Sequence, residues 1–214
     1  MSFAVFLIIG MCAMFLPMLY GGRSYNFPIW KTIISAIILT GIGLLGAHLM
    51  ALLESGNWSG RSFFGALFLA PVLMWPIAKI LNLSYSKLID ICAPAECIML
   101  ALLKVKCNID GCCGGRYMQF GHFGFTFPSQ IVECVIAIVL MLVLLAILKK
   151  KKWEGVVYPW YMFLYGIIRF ILNLLRDTTP WIGPLPAGNF WALISLIIGG
   201  SILLYYKKII KKVN

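Results

Sequence analysis

The 214-residue chain is 62% hydrophobic and only 12% charged, against about 45–50% and about 25% in soluble domains. That balance excludes a water-soluble globule and a disordered chain, and seven Cys in this length do not make a small disulfide scaffold. The formal charge of +11, from 18 Lys+Arg against 7 Asp+Glu, sits in clusters beside apolar runs, so it reads as membrane topology and not as a nucleic-acid surface.

Crossing a hydrocarbon core of about 30 Å takes about 20 apolar residues as a helix. Seven stretches qualify: Phe3–Tyr20, Thr32–Leu53, Ser62–Leu83, Lys87–Leu103, Ile131–Leu148, Val157–Leu175 and Phe190–Tyr206. The expected fold is an all-α polytopic membrane protein, a single transmembrane domain over 1–214 with outer-face loops at 104–130 and 176–189. With seven spans, 12 cations fall on one side, among them Arg23, Lys31, Lys79, Lys87, Lys149 to Lys152 and the C-terminal lysines. Five fall on the other: Arg61, Lys104, Lys106, Arg116 and Arg176. That asymmetry predicts an outward N-terminus and an inward C-terminus.

The first span has no basic segment before it and no small-residue cleavage site, which predicts an uncleaved helix. Cys12 follows Gly10-Met11, and Met is too large for a lipobox position. The second span contains Gly41, Gly43 and Gly46 in a formal G-x-G-x-x-G. No strand precedes it, so small residues for helix–helix contact account for it better than dinucleotide binding. His48, on the face of Gly41, is a packing group or a proton acceptor. The fourth span carries Asp90, Pro94 and Glu96, whose expected partners are Lys87 or the other cations.

The stretch Lys104 to Arg116 combines Lys104, Lys106 and Arg116 with Gly111, Gly114 and Gly115. Cations and glycines together permit close backbone approach and anion contact, as a phospholipid headgroup requires. Zinc on Cys107, Cys112, Cys113 and His122 is not expected, because the spacing matches no common structural site. A disulfide from Cys107 to Cys112 or Cys113 is preferred to metal on an oxidising face, and plain packing to both. Ser129, Gln130 and Glu133 open the fifth span as helix caps. Glu133, a turn inside, is also placed to orient Arg169 or Arg116.

In the sixth span Tyr165, Arg169, Asn173 and Arg176 recur at i, i+4, i+8 and i+11, one polar stripe on one helix face. A cation at that depth costs about 2.5–3.5 kcal/mol on insertion scales. An Arg–phosphate contact near 4 Å offsets this with about 4 kcal/mol at an effective dielectric of about 20. The competing account is a structural pair with Glu133 or Glu96. The loop after the stripe holds Pro180, Pro184 and Pro186.

Taken in order, these motifs resemble the prolipoprotein diacylglyceryl transferase family. Gly46-Ala47-His48-Leu49 is similar to its G-A-R-L, 60–67 to its S-F-H-G-G-L, and Asp90 to Pro94 to its D-x-x-A-P. Lys104 to Arg116 parallels G-R-I-G-N-F-x-N-G-E-x-x-G-R, Phe127-Pro128-Ser129-Gln130 parallels H-P-S-Q, and Tyr165 to Arg176 parallels Y-G-x-x-R-F-x-x-E-x-x-R.

The resemblance implies transfer of a diacylglyceryl group from phosphatidylglycerol to the lipobox cysteine of a preprotein, at the outer face of a bacterial cytoplasmic membrane. It implies no cofactor, no metal and no nucleic-acid partner. Arg169, Lys104, Arg116 and Arg176 then clamp phosphate, Tyr165 and Gln130 position substrate with Ser129, Gly111, Gly115, Asn173 and Asp110 beside them, and Glu133 orients.

The chain also departs from the family pattern. Phe64 and Phe127 stand where the pattern has His, Lys104 where it opens with Arg, Cys107 for Asn, Cys112 for Glu, and Asn173 for Glu. His48, Glu133 or Asp110 is then left as the base. The alternatives are an impaired paralogue that binds anionic phospholipid or a membrane partner and, third, a small transporter, for which no inverted repeat is visible.

Overall fold

The computed structural model describes residues 3–58, 60–120, 123–150, 154–176 and 181–213. His122, Lys151, Lys152 and Pro180 lie outside the described residues. Among the described residues seven helices run in chain order: α1 Phe3–Ser24, α2 Ile29–Ser55, α3 Phe63–Ile80, α4 Tyr85–Ile109, α5 Ser129–Lys149, α6 Val157–Leu174 and α7 Ala187–Val213. Each of the seven predicted spans corresponds to one of these helices. Two short antiparallel hairpins punctuate them, β1 Tyr117–Phe120 with β2 Phe123–Thr126, and β3 Trp181–Ile182 with β4 Leu185–Pro186.

Six helices are long and apolar enough to cross a membrane, and their outward faces carry exposed side chains such as Leu16, Leu53, Val72 and Leu204. Such faces are stable only against lipid. The chain is a multi-pass membrane protein. Among the described helices α4 is the exception, because Lys87, Asp90, Glu96, Lys104 and Lys106 lower its hydropathy. Its polar groups are tolerated because α4 is the hub: it packs on α1, α3, α5 and α6, and Leu88, Asp90, Ile91, Cys92, Ala95 and Cys97 are fully buried.

Among the described residues, Asp90 pairs with no cation. Its carboxylate accepts from the backbone N–H groups of Gly155 at 2.6 Å, Val157 at 3.0 Å and Tyr158 at 3.2 Å. These are orphan amides at the N-terminus of α6, where the helix dipole also favours a negative charge. Glu96 likewise has the Tyr158 hydroxyl at 3.1 Å rather than a lysine, and Lys87 reaches Glu154 at 3.6 Å.

The glycines of α2 act unequally. A Cβ on Gly46 would strike the carbonyl of Gly65 in α3, and one on Gly65 would strike that of Gly46, so the two backbones touch. Gly41 has open space beside it. The close helix contact therefore rests on the Gly46–Gly65 pair.

The stretches expected as irregular loops are partly ordered. α4 continues through Ile109 and β1–β2 occupies much of 117–126, while β3–β4 and the first turns of α7 fill 181–189. Backbone polar groups near a membrane must be paired somewhere, and helix extension and hairpins do this locally.

Candidate functional site

A cavity of about 630 Å³ opens among α2, α3, α4, α6 and the segment after α4. Lys104, Tyr165, Arg169, Asn173 and Arg176 all line it. Behind them Glu133, 5% exposed, gathers three cations, from α4, from α6 and from just past the end of α6. Its Oε2 lies 2.5 Å from Lys104 Nζ, and its Oε1 lies 2.5 Å from Arg169 Nη1 and 2.6 Å from Arg176 Nη1. Arg169 stands on α6 and Glu133 one turn inside α5, but the expected single-face stripe ends at Asn173: α6 stops at Leu174, and Arg176 reaches Glu133 from the strip just beyond, where it bridges to Gly115.

One carboxylate against three cations leaves an excess of two positive charges beside the cavity. The structural-pair account of Arg169 is therefore correct as to Glu133 and incomplete as to charge. Among the described residues, Arg169 Nε, Arg176 Nε and both amide atoms of Asn173 are buried without a hydrogen-bond partner. Buried donors left in that state are costly, and a bound anion is the kind of partner that would satisfy them.

The rim is tied down from α5. Ser129 and Gln130 do not cap that helix; Pro128 occupies the cap position and no side-chain cap bond forms. Instead the Ser129 hydroxyl donates to the carbonyl of Cys113 at 2.7 Å, and Gln130 Nε2 donates to that of Cys112 at 2.6 Å. The strip is also stitched to the end of α6, with Arg116 N–H donating to Leu175 O at 3.0 Å and Gly115 bridging to Arg176. Gly115 is required there because a Cβ would overlap the Phe127 carbonyl. Gly111, at φ 67°, turns the chain after α4 in the left-handed region that glycine alone enters without cost.

The other candidates divide. Asp110 lines the cavity and pairs with Lys106, whereas the exposed side chain of Arg116 does not line it. Ser129, Gln130, Gly111 and Gly115 shape the rim but do not line the cavity. His48 is not brought to it either: its Nδ1–H donates to the Trp58 carbonyl at 2.8 Å, and the two rings stack. Tyr165 is buried against the rings of Phe63 and Phe64.

No sequence signal marks Glu54, and Arg61 reads only as a topology charge; both line the cavity, as does Lys106 of the expected cation strip. Glu54 accepts from the Ser62 hydroxyl at 2.7 Å. The i, i+4 spacing of Lys106 and Asp110 was a readable signal.

Cys107, Cys112 and Cys113 also line the cavity, as free thiols. Their Sγ atoms lie within 4.8 Å of one another, which neither packing alone nor a single disulfide requires. Cys113 is lowered to about 5 by a hydrogen bond from Cys107, assisted by the charges of Lys104 and Arg176. Burial pushes Cys112 up from the ordinary thiol range.

The geometry of a cation-rich hollow open within a helical bundle accords with the comparisons. The family model described as prolipoprotein diacylglyceryl transferase matches residues 1–206. A phosphatidylglycerol–prolipoprotein diacylglyceryl transferase of Dehalococcoides mccartyi is 21% identical over 210 residues, covering 86% of this chain and 80% of its own length. Its counterpart in Finegoldia magna is 26% identical over 168 residues, 72% of this chain and 64% of the relative. That of Geobacter sulfurreducens is 31% identical over 141 residues, 61% of this chain and 54% of the relative. With its helices, its cavity and this match over nearly its whole length, the chain belongs to the prolipoprotein diacylglyceryl transferase family.

Proposed function

We propose that the protein moves a diacylglyceryl group from phosphatidylglycerol to the lipobox cysteine thiol of a prolipoprotein, with the cavity facing the outer side of the membrane. The observation that carries this reading is the arrangement of Lys104, Arg169 and Arg176 on the single carboxylate of Glu133. The departing group is a glycerol phosphate, so negative charge grows on a phosphate oxygen as the C–O bond breaks. Pre-placed cations in a water-poor site stabilise that charge without reorganising. Glu133 holds the guanidinium groups apart from solvent and in register, Tyr165 and Asn173 edge the headgroup space, and Asp110 with Lys106 marks its rim. The printed names of the relatives and the family match support the same substrate pair.

Purified protein supplied with radiolabelled phosphatidylglycerol and a lipobox peptide should yield a thioether-linked peptide. Arg169→Ala should lower the rate by about 100-fold or more, as loss of one transition-state donor does. Absence of product beside an active control enzyme would count against transfer. A second reading, an impaired relative that grips anionic phospholipid, is favoured by Phe64, which lines the cavity where the family pattern has His. It requires phosphatidylglycerol binding that Arg169→Ala abolishes, with no turnover.

A further inference from the structure

We propose that Cys107, Cys112 and Cys113 form a three-thiolate site for a zinc-class divalent ion at the mouth of the cavity, and that its open fourth position takes the acceptor thiol. The inference rests on the transferase reading for the second half of that statement and on geometry for the first. A zinc ion with Zn–S near 2.3 Å sets tetrahedral S···S edges of about 3.8 Å. Three Sγ atoms already within 4.8 Å of one another reach that spacing through small side-chain rotations.

Adjacent cysteines would normally point apart. Here the backbone of Cys113 is left-handed, at φ 60°, which breaks the alternation and lets the two consecutive thiols converge with Cys107 from the last turn of α4. The strip is braced as a ligand loop needs to be, by Cys112 N–H donating to Cys107 O at 3.0 Å and by Ser129 and Gln130 donating to the carbonyls of Cys113 and Cys112. Holding the ligand backbone through outer hydrogen bonds is how metal sites fix geometry. Cys112 and Cys113 are exposed, so an ion has a way in. Three thiolates and one divalent ion sum to a single negative charge, and Lys104 and Arg176 line the same cavity to offset it.

The site answers a chemical need. Alkylating a thiol requires the thiolate, yet Phe64 and Phe127 occupy the two places where the family pattern has His, and His48 faces Trp58. A bound divalent ion deprotonates a coordinating thiol outright. On coordination the acceptor S–H bond breaks and its proton passes to water. The sulfur lone pair then forms the S–C bond to the glyceryl carbon, the C–O bond to phosphate breaks with its electron pair on oxygen, and glycerol phosphate leaves. The neutral thioether is a weak ligand and dissociates, and no oxidation state changes.

Cobalt(II) titration of reduced, chelator-treated protein in detergent tests the site without lipid. One ion per chain should bind with a thiolate charge-transfer band. Cys107→Ser, Cys112→Ser and Cys113→Ser should each weaken binding at least tenfold, while His48→Ala leaves it unchanged. Zinc should protect the three thiols of the unaltered protein from alkylation, read by mass spectrometry, which holds even if a variant fails to fold. Adding a lipobox peptide should shift the cobalt spectrum, and its Cys→Ser version should not.

No band, a band that survives in the serine variants, a disulfide in its place, or indifference to the peptide thiol would each overturn the proposal. Transfer that continues undiminished after chelation overturns the metal's role toward the acceptor thiol and leaves the transferase reading standing. Metal binding without transfer does the reverse.

Discussion

Glu133 of α5 and Arg169 of α6, 36 positions apart in the chain, meet with Oε1 and Nη1 2.5 Å apart. Because Glu133 also holds Lys104 and Arg176, the two partners are not equivalent. Removing the acid strands three buried cations; removing Arg169 leaves a carboxylate that still has two. Glu133→Gln should therefore destabilise the fold by about 3–5 kcal/mol, the range for breaking a buried pair. Arg169→Ala should unfold close to the unaltered protein while losing activity. Thermal unfolding in detergent, followed by helical circular dichroism, separates them.

Charge alone is not what the cavity asks of its guanidinium groups. Arg169→Lys and Arg176→Lys keep the positive charge but lose the planar fork that fits a phosphate. Each should bind phosphatidylglycerol vesicles at least tenfold more weakly, measured by equilibrium partitioning. Unchanged partitioning would mean that a point charge suffices.

The carboxylate of Asp90 bonds three backbone amides at the start of α6. Asp90→Ala should cost about 1–2 kcal/mol, the value of an N-terminal cap, and Asp90→Asn less. Arg169 lies about 18 Å along the helix from that end, so the expected loss is in unfolding temperature, with the transfer rate at low temperature retained.

Helix packing supplies a contrast within one motif. Gly65→Val drives a side chain into the backbone of Gly46 and should destabilise by about 1–3 kcal/mol. Gly41→Ala meets open space and should raise stability by about 0.5–1 kcal/mol through helix propensity. Parallel melting curves of the two variants decide it.

His48→Ala offers a check on the proton path. Loss of a general base slows an enzyme by about 100-fold or more. A side chain bonded to the Trp58 carbonyl and away from the cavity should leave the transfer rate at the unaltered level.

Much of this was readable from residue order. Seven apolar runs are a matter of length and composition, and Tyr165, Arg169 and Asn173 follow from helical spacing, whereas Arg176 reaches the site from beyond the end of α6. The pairing of Glu133 with Arg169 follows from the cost of leaving either alone. What escaped was set by contacts between distant segments. Asp90 caps a helix that begins at Val157 in place of meeting a lysine, and Ser129 and Gln130 hold carbonyls 16 and 18 residues back in place of capping their own helix. The meeting of the three thiols depends on a left-handed residue at Cys113, which no spacing rule for cysteine announces.

The polarity of α4 bears on how the protein is made. A translocon handling α4 by itself meets Lys87, Asp90, Glu96, Lys104 and Lys106 in one segment, and each ionised group at the segment's middle costs about 2.5–3.5 kcal/mol to partition sideways. Such a stretch enters lipid only in company. Its lateral release is therefore a joint event with α1, α3 or α5, and biogenesis of the whole bundle is limited by the assembly of neighbours around its least oily member.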